Sequence, residues 1–242
     1  MSAFLHLYYQ ANQHIGNPMH PLLSDIQLLA FDLDGTLIDS VPDLADAVDQ
    51  MLIELDRPRA GQDKVRSWVG QGAIVLVKRA LADGLKIDQI DETSDLFMQA
   101  YATFLTVYDA NKGAKTRCYA GIFELLNAVK KAQIPMALIT NKPYCFVPEI
   151  LEQLNLGHYF DLVLGGDSLE EKKPSPLPLL FAAEQLKAEP TRSLMIGDSI
   201  TDISAGQKAS FKTVAVRYGY DHGLPVDQCG ADLVVDSLAE LV

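Results

Sequence analysis

The feature that most constrains the fold is a series of short, nearly unbroken apolar runs: QLLAFDL (27–33), PMALIT (135–140), DLVLGG (161–166), SLMIGD (193–198), KTVAVRYG (212–219) and ADLVVDS (231–237). A strand with one wet face alternates apolar and polar side chains, whereas continuous hydrophobicity is what a strand covered on both faces requires. Each run is therefore predicted to be a strand of a parallel sheet. Between the later runs lie helix patterns. GIFELLNAVKKAQ (121–133) puts Ile122, Leu125, Leu126 and Val129 at spacings of three and four, and PLPLLFAAEQLKAEP (176–190) behaves likewise, so each presents one face to a sheet. Strands and helices alternating in this way predict right-handed βαβ crossovers and a doubly wound, Rossmann-like α/β fold.

One stretch breaks the alternation. Residues 41–117 carry no strand pattern and read as wholly helical. Leu44, Val48, Leu52 and Leu55 recur at helix spacing behind Pro42, and Phe97, Tyr101, Phe104 and Tyr108 repeat the pattern. The expected division is an N-terminal extension over 1–24, an α/β core over 25–40 and 118–242, and an all-helical subdomain over 41–117 inserted behind the first strand. Within the extension, MSAFLHLYYQANQHIGNP has neither the basic start nor the small-residue cleavage site of a secretory leader, and Met19 offers a second translation start. Mass spectrometry of the natural protein would reject that second start by finding residues 1–18.

In open α/β sheets ligands bind outside the carboxyl ends of the strands, so the residues at those ends carry the functional signal. The first run ends in Asp32-Leu33-Asp34-Gly35-Thr36 and the second in Thr140-Asn141-Lys142-Pro143. The third leads into GGDSLEEKKPSP, which contains Lys173, and the fourth ends in Gly197-Asp198-Ser199 followed by Asp202. Several carboxylates, hydroxyls and a lysine converging on one crevice are the parts of a phosphoryl-transfer site. A hard divalent cation such as Mg²⁺ takes oxygen ligands, and Asp32 with Asp198 would hold one. An aspartate beside such a cation can attack phosphorus through an aspartyl-phosphate. In an extended Asp-x-Asp both side chains lie on one face, so Asp34 reaches the leaving oxygen while Asp32 attacks. Thr140, the amides after it and Lys173 would supply fixed donors to the transferring phosphoryl oxygens, and Gly35 permits a close turn.

DLDGTLIDS, ITNKP, KKPSPLPLL and GDSITD resemble the four ordered motifs of the haloacid dehalogenase-like hydrolase superfamily, over essentially the whole chain from residue 28. The insert resembles that superfamily's helical cap. TNKP, VGQGAIVLVKRAL and CYAGIFELL are similar to the branch that hydrolyses 2-phosphoglycolate. The resemblance implies Mg²⁺, Asp32 as nucleophile and Asp34 as acid–base. It further implies metal ligation by the Asp32 side chain, the Asp34 backbone carbonyl and Asp198, phosphate binding by Thr140, Asn141 and Lys173, and a supporting role for Asp202.

Other classes are disfavoured. With 32 acidic against 20 basic residues the formal charge is −12, which repels nucleic acid. Cys118, Cys145 and Cys229 form no CxxC pair, which suits a reducing cytoplasm and argues against a disulfide framework or a zinc site; the five histidines lack paired spacing. No apolar run approaches the ~18–20 residues of a bilayer span. The expected partner is a small anionic phosphorylated metabolite, bound by a monomer or homodimer.

Some residues read two ways. Lys142 either neutralises substrate or caps the site, and the EEKK run holding Lys173 is by default solvated. Arg66, Lys78 and Arg79 either meet a substrate carboxylate or face water, and Gly70 and Gly72 around Gln71 serve a turn or a specificity loop. Trp68 and the aromatics of the insert are expected in its core. The reading is Mg²⁺-dependent hydrolysis of 2-phosphoglycolate to glycolate and phosphate. Its rivals are a sugar-phosphate phosphatase or phosphomutase on the same core, and a non-catalytic binding protein that keeps the fold.

Overall fold

All six apolar runs are strands of one parallel sheet. The computed structural model describes residues 19–83, 86–220 and 224–242; residues 1–18 of the expected extension, with His6 and His14, and also His222, lie outside the described residues. In chain order the strands are β1 (Leu28–Phe31), β2 (Ile38–Asp39), β3 (Arg117–Cys118), β4 (Met136–Ile139), β5 (Leu162–Leu164), β6 (Ser193–Gly197), β7 (Lys212–Val216) and β8 (Leu233–Val235). The sheet runs β5-β4-β1-β6-β7-β8, every neighbouring pair parallel.

Alternate residues of β1 serve opposite faces. Leu29 and Phe31 pack with α5 (Ile122–Lys131) through Ile122, Leu125, Leu126 and Val129. Leu28 and Ala30 pack with α7 (Leu177–Gln185) through Leu179, Ala182 and Ala183, and with Ala205 of α8 (Ile200–Lys208). A strand buried on both sides favours apolar residues on each, which is why the sequence shows runs rather than alternation. At ~25 cal/mol per Å² of apolar surface removed from water, this two-sided burial is the main favourable term holding the sheet.

The strand order also fixes where chemistry can occur. From β1 the chain moves outward to β4 and β5, then returns to the other side of β1 for β6, β7 and β8. Such a reversal opens a crevice at the carboxyl ends of the strands beside it. Phe31 is in register with Leu138 on one side and Ile196 on the other. Asp32, Thr140 and Asp198 consequently leave three adjacent strands at nearly the same level.

The described residues of 41–111 form four α-helices, α1 (Val41–Glu54), α2 (Gln62–Trp68), α3 (Ala73–Leu81) and α4 (Asp95–Asn111), with a short 3-10 turn at Ile87–Gln89. Leu44, Val48 and Leu52 of α1 are buried, as are Trp68, Phe97, Phe104 and Tyr108. Leu55 lies just past the end of α1 and is only partly buried. Where the chain enters and leaves this helical stretch, β2 and β3 pair antiparallel, Ile38 opposite Cys118 and Asp39 opposite Arg117. The buried Asp43 carboxylate reinforces the junction by accepting hydrogen bonds from the Lys115 and Thr116 amides and the Thr116 hydroxyl. The remaining helix, α6 (Val147–Gln153), follows the β4 loop.

Candidate active site

The loop after β1 turns tightly because the Leu37 and Ile38 amides both donate to the Leu33 carbonyl, and the Gly35 amide donates to the Ile38 carbonyl. Gly35 has φ +94°, and a Cβ there would run into the Asp198 carboxylate and the Tyr220 ring. Only glycine meets both demands. The turn also brings Thr36 round to donate its hydroxyl to Asp198 Oδ1 at 3.0 Å, while the Tyr220 amide donates to Asp198 Oδ2 at 2.6 Å.

Asp32, Asp198 and Asp202 converge. One carboxylate oxygen from each lies within 4.8 Å of the others, and all three residues are buried. Asp202 stands in the first turn of α8, where its Oδ2 accepts from the Ser199 amide and hydroxyl at 3.2 and 2.7 Å. Lys173 Nζ reaches in from the loop after β5 and donates to Asp32 Oδ1 and Asp202 Oδ1, both at 2.7 Å. Three carboxylates against one ammonium leave two formal negative charges in a water-poor setting. Burial, together with the charges of Asp202 and Asp34, pushes the Asp32 carboxyl up to about 7 against the opposing pull of Lys173. Burial and the charges of Asp202 and Asp32 push Asp198 well above the usual carboxylate range. A deficit of two positive charges among hard oxygen donors fits a divalent cation of the Mg²⁺ type.

The Asp34 carboxylate points elsewhere. Its Oδ1 accepts from the Ser40 hydroxyl at 2.5 Å, and Lys142 Nζ lies 2.9 and 3.1 Å from its two oxygens. Burial opposes the charge on Lys142, but Asp34 outweighs it and holds the ammonium above the ordinary lysine range. The Thr140 hydroxyl oxygen accepts from the Lys142 amide at 3.1 Å. The Asn141 amide group donates to the Gly70 and Lys173 carbonyls at 3.2 and 3.0 Å, and its Oδ1 is buried with no partner among the described residues.

Asp32, Asp34, Thr140, Asn141 and Lys142 form one wall of a cavity of about 40 Å³, and the helices of residues 41–111 supply the other. Lys173 and Asp198 join this wall through Asp32 rather than lining it. The Gly70–Gln71–Gly72 loop closes one side: Gly72 has φ +90°, a Cβ on it would lie 2.9 Å from the Asn141 carbonyl oxygen, and Lys172 Nζ donates to the Gln71 carbonyl at 2.9 Å. Arg66, Lys78 and Arg79 of the helical segment hold protein acceptors instead. Arg66 pairs with Asp39 at 3.1 Å, Lys78 with Glu92 at 2.9 Å, and Arg79 donates to the Trp68 carbonyl at 2.6 Å.

The structure places Asp32, Asp34, Thr140, Asn141, Lys173 and Asp198 together at one end of the sheet. Asp202, expected in support, belongs to the carboxylate cluster itself; the Asp34 carboxylate, expected to move protons rather than to hold metal, is paired with Lys142. The ambiguity at Lys142 could not be resolved by motif reading, because nothing in TNKP says whether the side chain turns inward or out.

The sequence profile of the haloacid dehalogenase-like hydrolases matches residues 29–216. The chain belongs to the haloacid dehalogenase-like hydrolase family. It is accordingly an enzyme, a hydrolase. Among its relatives, a phosphoglycolate phosphatase of Pseudomonas putida is 48% identical over 216 residues, 89% of this chain and 78% of that protein. Phosphoglycolate phosphatase 1 of Pseudomonas aeruginosa is 44% identical over 221 residues, with the same coverage of 89% and 78%. A crystal structure of a predicted phosphoglycolate phosphatase from Haemophilus somnus superposes with a TM-score of 0.84 at 35% identity, covering 90% of this chain and 96% of that one.

Proposed function

We propose that this hydrolase is a Mg²⁺-dependent phosphatase that converts 2-phosphoglycolate to glycolate and phosphate through an aspartyl-phosphate on Asp32. The observation that carries this reading is the buried Asp32 carboxylate, set between a cation-deficient acidic cluster and a cavity holding Asp34, Thr140 and Lys142, in a chain 48% identical to a phosphoglycolate phosphatase. The metal would be held by the Asp32 and Asp198 side chains and the Asp34 backbone carbonyl, with Asp202 beside them. When bound, it supplies the charge that offsets repulsion between a carboxylate and an incoming phosphoryl dianion.

Asp32 attacks phosphorus in line, and its bond to Lys173 fixes the side chain for that attack. The bond to the leaving oxygen breaks as Asp34 gives that oxygen a proton. Asp34, then a carboxylate, takes a proton from water, which attacks the acyl phosphate to release inorganic phosphate and restore Asp32. Ser40 and Lys142 hold Asp34 in place for both transfers. The Thr140 hydroxyl and the backbone after it bind the phosphoryl oxygens, with Asn141 tying this loop to Gly70. The helical segment 41–117 acts as a cap over the core of 25–40 and 118–242, and excludes water during turnover.

A sugar phosphate is the weaker substrate on this reading, because the helical wall of the cavity is built mainly from Leu44, Val69, Ala73, Leu76 and Phe104, with Tyr108 its one polar side chain among the described residues, and offers little to a ring of hydroxyls. Cytoplasmic location suits three free cysteines, and no helix among the described residues is long and apolar enough to cross a membrane. Comparing kcat/KM for phosphoglycolate, sugar phosphates and pyrophosphate tests the substrate. Phosphoglycolate is expected to lead by about 10²-fold or more, with activity abolished by EDTA and restored by Mg²⁺. Equal or better turnover of a sugar phosphate, or transfer of phosphate to a second sugar hydroxyl, would overturn it.

A further inference from the structure

Tyr108 lies in the last turn of α4 and is 1% exposed, yet its hydroxyl has no hydrogen-bond partner among the described residues. Its ring is fixed, stacked on Phe104 at 5.8 Å and edge-on to Phe146 at 5.1 Å. Phenylalanine would satisfy that packing without stranding a polar atom, and a buried polar group normally finds a partner. Tyr108 is one of the residues that line the active-site cavity. Every other side chain that the helical segment contributes to this wall is apolar or a glycine hydrogen.

We propose that Tyr108 determines leaving-group specificity, its hydroxyl donating a hydrogen bond to an oxygen on the end of the substrate away from the phosphorus, such as the carboxylate of a phosphorylated hydroxy acid. This rests on the phosphatase reading above. Burial pushes the phenol up to about 12, so it keeps its proton near neutrality and serves as a donor. A neutral donor suits the place. Asp32 and Asp34 already bring negative charge to the cavity, and the Lys142 ammonium, which stands 4.8 Å from the centre of the Tyr108 ring and interacts electrostatically with its hydroxyl, is paired with Asp34. Arg66, Lys78 and Arg79 are held by other partners, so recognition from the helical side falls to the tyrosine and to backbone groups of the Gly70–Gly72 loop. A site with a buried donor rejects an analogue that lacks the matching acceptor, because the donor is then left unpaired.

The test compares 2-phosphoglycolate with ethyl phosphate, whose leaving group has the same carbon count and no terminal oxygens, in the Mg²⁺-loaded parent and in Tyr108→Phe. The ratio of kcat/KM for the two substrates is expected to fall by about 10- to 100-fold in Tyr108→Phe, mainly through KM for phosphoglycolate, with the thermal melt unchanged or raised. A ratio within about twofold of the parent's, whether both activities fall together or neither does, overturns the proposal. Loss of the cooperative melt would assign the hydroxyl a structural role and overturn it as well. A parent that releases phosphate from neither substrate defeats the phosphatase reading itself, which separates that failure from this one.

Discussion

Asp32→Asn is expected to reduce phosphate release by about 10⁴-fold or more while leaving the fold intact. The amide matches the carboxylate in size, so packing at the end of β1 is kept, but it is not a nucleophile toward phosphorus. Its effect on stability is expected to be small for a specific reason. The substitution removes one of three crowded negative charges, and Lys173 retains Asp202 at 2.7 Å. Coupled measurements of phosphate release and thermal unfolding, on the same preparation, separate loss of chemistry from loss of fold. Appreciable residual turnover in a folded Asp32→Asn protein would rule out the aspartyl-phosphate route.

The second large effect falls on stability. Lys173 is 2% exposed and, among the described residues, is the one cation bonded to the carboxylate cluster. Lys173→Met keeps the aliphatic stem and deletes the charge, leaving Asp32 and Asp202 buried without compensation. Breaking a buried pair in this way costs about 3–5 kcal/mol. For a domain of this size that is a fall in Tm of roughly 6–20 °C, read by calorimetry in EDTA. Added Mg²⁺ is expected to raise the Tm of Lys173→Met by more than that of the parent, because the cation then relieves a larger charge imbalance. An unchanged Tm in EDTA would show that Lys173 does not balance the cluster, and that the acidic residues tolerate one another for another reason.

The sheet was legible because burial on both faces forces a signal that few other arrangements produce: unbroken apolar runs at β1, β4, β6 and β7, each ending in a polar residue. Order and register were not needed to find Asp32, Thr140 and Asp198, since the carboxyl ends of parallel strands converge by topology alone. The partners of each carboxylate were a different matter. Asp34 turns to Lys142 and Ser40 while Asp202 turns to Lys173, and these choices depend on loop paths and on buried charge balance that no local pattern encodes. The β2–β3 pair was invisible for a simpler reason, since two residues per strand give no periodicity to detect. Helix α2, of seven residues, likewise has too few turns to show a stripe. Tyr108 was legible only as a core aromatic; its stranded hydroxyl becomes apparent once the wall around it is seen to be apolar.

The most direct measurement is a calorimetric titration of Mg²⁺ into the parent and into Asp198→Asn, each first shown by its melt to be folded without metal. The convergence of Asp32, Asp198 and Asp202 predicts one ion per chain in the parent and affinity weakened by at least about tenfold in Asp198→Asn. Equal affinity in the two proteins, or no binding to the parent at all, would contradict a single cation held at the end of the central strands.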